Sequence, residues 1–426
     1  MSARASAARS EPKANAALGG IRVVELSHER GAFAGKLLAD MGADVIVVEP
    51  PGGSALRGWG PFVDDVPDPE QSLAWWHYNT SKRGVVLDLD TDSGREGFRS
   101  LVARADLVLE CEDPGRLSAL GLDYMDLARA ELVWVSITPF GRAQPGRADL
   151  ATDLTVLAAG GPVWSCGYDD HSLPPVRGLG FQGYSTACHF AVMSALTALL
   201  WRGASGEGQL VDVSMHAAAN VTTEMASYCY LVAGTTVQRQ TGRHAMETLS
   251  MPSQVRCADG RYVNTGVPPR QPKEYAGLLR WLQELGIAEQ FPEAVFLELG
   301  AKRDFVDLSK IGQDDEITAI FGAGREALNF VASRLSAYDF FVGAQRAGMP
   351  VGVIYAPEEA FEDPHFVARG FQTPVEHPEL GRTVRYPGAP YRFEKTPWRI
   401  SRRAPRLGEH TAEVLREVAG ESTGRA

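Results

Sequence analysis

Apolar positions along this chain switch repeatedly between two periods. I-R-V-V-E-L from Ile21 is a near-continuous apolar run that predicts a strand. A-F-A-G-K-L-L-A-D-M from Ala32 carries apolar residues at 33, 34, 37, 38 and 41, the spacing of a helix, and D-V-I-V-V-E from Asp44 predicts a second strand. The β-α-β pattern recurs in G-V-V-L-D-L from Gly84, a helical segment from Gly94, and strands from Asp106 and Leu132. Strands that are apolar throughout, alternating with helices, predict a parallel sheet covered on both faces. A long helix follows over Thr186–Gly203, closed by G-A-S-G-E-G, and Q-L-V-D-V-S from Gln209 predicts the next strand.

Downstream the pattern changes. The segment from Met251 to Asn264 predicts a hairpin turning at Asp259-Gly260, and residues 275–340 read as helices broken by Gly and Pro. From Met349 onward, short strands with Pro and Gly lead to an amphipathic helix after Gly408. The expected fold is therefore α/β. A flexible tail covers 1–17, a Rossmann-like large domain with a parallel sheet covers 18–225, and a smaller α+β domain covers 226–349.

Composition narrows the function classes. The chain has 53 acidic against 42 basic residues, a net charge of −11, and so lacks the excess of basic surface that nucleic acid or an anionic membrane requires. A small-molecule site is the expectation. The five cysteines show no C-x-x-C spacing, which argues against a disulfide framework or a zinc site and fits a reducing cytoplasm. The first 17 residues have no apolar core of a signal peptide, and no apolar segment is expected to reach transmembrane length.

Few segments suggest chemistry from spacing alone. E-P-P-G-G-S-A-L-R, Glu49 to Arg57, follows a strand, where backbone N–H groups and Arg57 could meet a phosphate; without G-x-G-x-x-G it does not suggest a nicotinamide cofactor. N-T-S-K-R-G puts Lys82 and Arg83 just before a strand, where solvated edge charges are the plainer reading. Asp169-Asp170 lie in a Gly/Pro-rich loop and read as turn or cap residues. The nine histidines show no metal-ligand spacing, and His189, within an apolar helix, reads as a packed core residue.

The wording of six ordered blocks goes further. G-I-R-V-V-E-L-S from Gly20, L-L-A-D-M-G-A-D-V-I-V-V-E-P-P from Leu37, S-K-R-G-V-V-L-D-L from Ser81, G-E-G-Q-L-V-D-V-S from Gly206, D-P-H-F-V-A-R-G from Asp363 and L-G-E-H-T-A-E-V-L from Leu407 resemble blocks of the family III CoA-transferases. This group contains the formyl-CoA, carnitine and bile-acid CoA-transferases. The resemblance implies that the large domain is completed by the returning C-terminus, 350–426, and that two chains interlock as rings in an obligate dimer. It implies CoA and acyl-CoA as substrates and no tightly bound cofactor or metal, with Arg57, Lys82 and Arg83 as CoA contacts.

In such enzymes an aspartate attacks the acyl-CoA thioester to give a mixed anhydride; CoA thiolate returns to form an aspartyl thioester, and a second anhydride activates the acceptor acid. The family's Gly-Asp falls here on Gly183-Tyr184. A phenol with an ordinary pKa near about 10 is a poor nucleophile, and its ester is not an anhydride. Other departures accompany it. Where many members have Glu-Asn-Phe before Pro-Gly, this chain has Glu110-Cys111-Glu112-Asp113-Pro114-Gly115, with two added acids; a basic position further on is Ala119; and Ser250–Arg256 has no aromatic-glycine loop. The racemase branch's His falls near Thr152 and its Asp is again absent, so racemization is disfavoured.

Three readings follow. The chain is a non-catalytic subunit interlocked with a paralogue that carries the aspartate, as in a benzylsuccinate-specific member built of unlike subunits; or another acid such as Asp169, Asp170 or Glu224 serves; or the chain binds acyl-CoA without turnover. The donor expected is succinyl-CoA. An aromatic acceptor is compatible with Trp75-Trp76 but is not read from them.

Overall fold

The computed structural model describes residues 16–142, 150–178, 180–223, 225–266 and 268–420. The expected tail over 1–17 therefore lies largely outside the described residues, as does Glu224. Six parallel strands form the main sheet: β1 (Arg22–Leu26), β2 (Asp44–Glu49), β3 (Arg83–Val86), β4 (Leu107–Glu110), β5 (Val133–Thr138) and β6 (Leu210–Ser214), in the order β3-β2-β1-β4-β5-β6. The order reverses between β1 and β4, so the chain leaves those two strands in opposite directions and opens a crevice above their carboxyl ends.

Both faces of the sheet are covered, which is why its central strands are mostly apolar. Helices α1 (Ala32–Asp40), α2 (Leu73–Tyr78), α3 (Asp92–Val102), α4 (Asp153–Gly160), α5 (Gln182–Ser205) and α6 (Met215–Val221) belong to this unit, as does the C-terminal helix Thr411–Ala419. Leu38 of α1 and Ala187, Ala191 and Ala195 of α5 pack on one face with Val23, Val135 and Ile137. Phe98 and Leu101 of α3, with Val414 and Val418 of the C-terminal helix, pack on the other with Val24 and Trp134. Helix α5 has 24 residues and by length and composition could cross a membrane, contrary to expectation, but its alanine face is buried against the sheet.

Two compact units result: 1–164, 176–232 and 364–426 in the larger, 165–175 and 233–363 in the smaller. The boundaries shift from those expected at 225/226 and 349/350. Gly352–Val353 pairs as an edge strand with Tyr262–Asn264, which itself pairs with Gln254–Arg256 through the expected turn, so the chain leaves the smaller unit only at 363. The smaller unit has its own helical core around Tyr275, Leu278, Trp281, Ile320 and Phe340.

Candidate active site

Tyr184 stands at the third position of α5, with its side chain only 6 % exposed. The helix starts four residues earlier than the apolar pattern predicts because its cap is not local: Asp153, at the start of α4, accepts the Tyr184 N–H at 3.0 Å. Its other oxygen pairs with Arg177 at 3.2 Å. The Tyr184 ring stacks on Phe181, centroids 6.0 Å apart, and Phe181 leads to Trp59 and Tyr78, a row of half-buried rings. Burial, then the Glu29 carboxylate, push the Tyr184 phenol above its ordinary pKa, against a lowering effect of Arg30. A protonated, stacked phenol can donate a hydrogen bond and pack an acyl chain. It cannot form the anhydride.

The groups around Tyr184 come from the switch-point loop S-H-E-R-G that follows β1. Glu29 pairs with His28 at 3.0 Å; burial raises the Glu29 carboxyl, but the His28 ring outweighs this and holds it below the ordinary range. Arg30 is 9 % exposed and reaches Asp113, in the loop after β4, and the Ala151 carbonyl, both at 3.4 Å. Gly31 is required here: a Cβ would come within 2.5 Å of the Cys111 sulfur. None of Glu29, Arg30, Asp153 or Arg177 was singled out as a site residue from sequence. The available signal was that S-H-E-R-G follows the first strand of a doubly wound sheet, where ligands sit.

Could a neighbouring thiol act as a nucleophile here? Cys111 and Cys188 lie beneath this loop, and the Cys188 thiol donates to the Arg30 carbonyl at 3.1 Å. Burial pushes the Cys111 thiol well up and the Cys188 thiol up to about 12, so neither supplies thiolate at neutral pH. Iodoacetamide at pH 8 is therefore expected to modify exposed Cys166 in the folded protein and Cys111 and Cys188 only after denaturation, as peptide mapping would report. Alkylation of native Cys188 at the Cys166 rate would contradict this.

The residues expected to contact CoA are placed otherwise. Lys82 is fully buried, with its three ammonium donors on Glu25 (2.8 Å), the Ala32 carbonyl and Asn79 (both 2.9 Å). Arg57 grips Glu49 through Nε (2.6 Å) and Nη2 (2.9 Å), bonds Glu70 and the Pro405 carbonyl, and lies over Trp75 at 3.9 Å. Arg83 pairs with Asp44, Glu413 and Glu417, fastening the C-terminal helix to β3. These are neither solvated edge charges nor cations free to meet a phosphate; their partners are carboxylates distant in sequence. A cleft of about 120 Å³ beside Arg57's partners, lined by Glu70, Trp75, Trp76, Glu379 and Arg403, includes no switch-point residue.

The other candidates fare similarly. Asp169 belongs to the smaller unit and pairs with Arg243 at 3.0 Å, while Asp170 accepts from Ser172, the turn role its loop suggested. Each added acid of the Glu112-Asp113 segment is paired, Glu112 with Arg116 at 3.0 Å and Asp113 with Arg30. His189 is exposed and meets Phe33 edge-on, so it is not a packed core residue. Among the described residues no group of His, Cys, Asp and Glu could hold a metal ion.

Comparison with known proteins agrees with the geometry of the sheet. A profile described as CoA-transferase family III matches residues 18–411. The chain belongs to CoA-transferase family III. It is 35 % identical over 398 residues, 93 % of both chains, to the succinyl-CoA:(R)-benzylsuccinate CoA-transferase subunit BbsE of Thauera aromatica. It is 30 % identical to a succinate–glutarate CoA-transferase of Agrobacterium fabrum, over 96 % of this chain and 97 % of that one. A CAIB/BAIF family protein from Brucella suis has the same fold, with TM-score 0.75 and 26 % identity over 95 % of this chain and 100 % of that one. CoA thioesters are the substrates of these family III CoA-transferases, and CoA transfer is the chemistry against which Tyr184 has to be read.

Proposed function

We propose that this chain is the non-catalytic subunit of a heteromeric CoA-transferase, paired with a paralogous chain that carries the aspartate. Together they move CoA from an acyl-CoA donor, succinyl-CoA first among them, to a carboxylic acid. The observation that carries this reading is Tyr184: a buried, stacked phenol in the first turn of α5, where the family resemblance places the nucleophile. Cys111 and Cys188 are too deeply buried to substitute, and Asp169 and Asp170 are engaged in the smaller unit. A partner chain also fits the apolar residues that α5 leaves exposed, Met193, Leu200 and Trp201. BbsE is itself named as a subunit.

The test is turnover of the purified chain with succinyl-CoA and candidate acids, alone and after co-expression with an Asp-bearing paralogue. Activity is expected only for the pair, with the lone chain at least about 10³-fold slower. Turnover by the lone chain at the rate of the pair would overturn the proposal. If Glu29→Gln then abolished that turnover, the nucleophile would be Glu29, the partly exposed carboxylate at the crevice nearest the Tyr184 ring in charge effect.

A further inference from the structure

Arg30 differs from the other buried cations of the large unit. Lys82, Arg57 and Arg83 are held by contacts of 2.6–3.2 Å. Arg30 is nearly as well buried, yet its contacts with Asp113 and the Ala151 carbonyl are both 3.4 Å long, and although it also meets the Tyr184 hydroxyl, its Nε has no hydrogen-bond partner among the described residues. One of those acceptors, Asp113, has a side chain 76 % exposed. A buried guanidinium held this loosely lacks the compensation that burial of a charge requires. It stands at the switch point of the sheet and immediately before the N-terminus of α1, whose N-cap, Gly31, supplies no side-chain hydrogen bond. Both the helix dipole and the unpaired donor favour an anion there.

We propose that Arg30 and the Tyr184 hydroxyl form a carboxylate-binding site that holds a short dicarboxylic acid, free or as the distal carboxylate of its CoA thioester, without turnover. This rests on the reading that Tyr184 has replaced the nucleophile: a phenol donates to the anion that an aspartate there would repel. A carboxylate suits the site better than a phosphate. The guanidinium offers one positive charge in a planar fork. Glu29 and Asp153 stand nearby, each already paired, with His28 and Arg177, so a dianionic phosphate would leave charge uncompensated among acids. Asp113 is then a competitor, an exposed carboxylate that occupies the guanidinium when no ligand does.

Calorimetric titration of the full chain with succinate, succinyl-CoA and inorganic phosphate tests this without requiring a partner or catalysis, so its failure is distinct from failure of the subunit reading. Succinate, succinyl-CoA or both are expected to bind and phosphate is not. Arg30→Gln should weaken binding by about tenfold or more, the usual loss for one charge-assisted contact. Asp113→Asn should tighten it several-fold; that side chain is exposed, so folding is not at risk, and a merely structural Arg30 predicts no gain. A loss confined to succinate assigns the site to the free acid, and one confined to succinyl-CoA assigns it to the thioester. No binding of either ligand, affinities that both substitutions leave unchanged, or phosphate binding as tight as that of succinate would overturn the proposal.

Discussion

Lys82→Met is expected to destabilise the protein by about 3–5 kcal/mol, the cost of leaving one partner of a buried ion pair alone. The reason lies in the company Lys82 keeps. Its ammonium is fully buried and, among the described residues, is the only cation within hydrogen-bond reach of Glu25, which sits at the middle of the sheet on β1 and is itself buried. Burial already pushes the Glu25 carboxyl up and the Lys82 ammonium down, so the pair persists through mutual attraction and two further acceptors, Ala32 and Asn79. The carboxylate cannot swing away: α1 passes so close at Gly35 that a Cβ there would lie 1.8 Å from Glu25 Oε2. Urea melts of Lys82→Met, Glu25→Met and the double variant would check this. The double variant should be more stable than Lys82→Met, because replacing both charges removes the orphan. A single-variant loss under about 1 kcal/mol would show the pair to be dispensable.

Why sequence reading took Lys82, Arg57 and Arg83 for edge charges or CoA contacts follows from the same geometry. Each is paired with a carboxylate on another strand or helix, Glu25, Glu49, and Asp44 with Glu417, and no local pattern announces such a pairing. The sheet itself was legible, because both faces of β1, β2, β4 and β5 are covered and their apolar runs are nearly continuous. The start of α5 was not, since its cap is supplied by Asp153 from 31 residues away. The family blocks drew attention to Tyr184 from the sequence alone. Its neighbours Glu29 and Arg30 became visible only once the strand order put the end of β1 at the switch point.

Tyr184→Asp, which supplies the carboxylate that the family resemblance leads one to expect here, is expected to yield no transferase activity and to cost about 2–4 kcal/mol of stability. The stability loss comes from removing a ring that packs with Val156, Ala187 and Phe181 and putting a carboxylate in its place. The activity argument turns on where that carboxylate would stand. Glu29 and Asp153 are already beside it, and a third acid among them is pushed toward its protonated, non-nucleophilic form. Whatever fraction does ionise would be held by Arg30, the cation at hand, in an ion pair instead of being released to attack a thioester. The crevice mouth also keeps Glu112 and Asp113, which Arg116 and Arg30 now pair with. Drawing Arg30 onto the introduced carboxylate leaves Asp113 unpaired on the side a CoA phosphate would approach. Trapping with hydroxylamine or borohydride after incubation with succinyl-CoA, followed by mass spectrometry, is expected to find no acylated residue at position 184. Robust transfer by this single variant, with an acyl group trapped there, would show that the loss of one side chain alone separates this chain from its catalytic relatives.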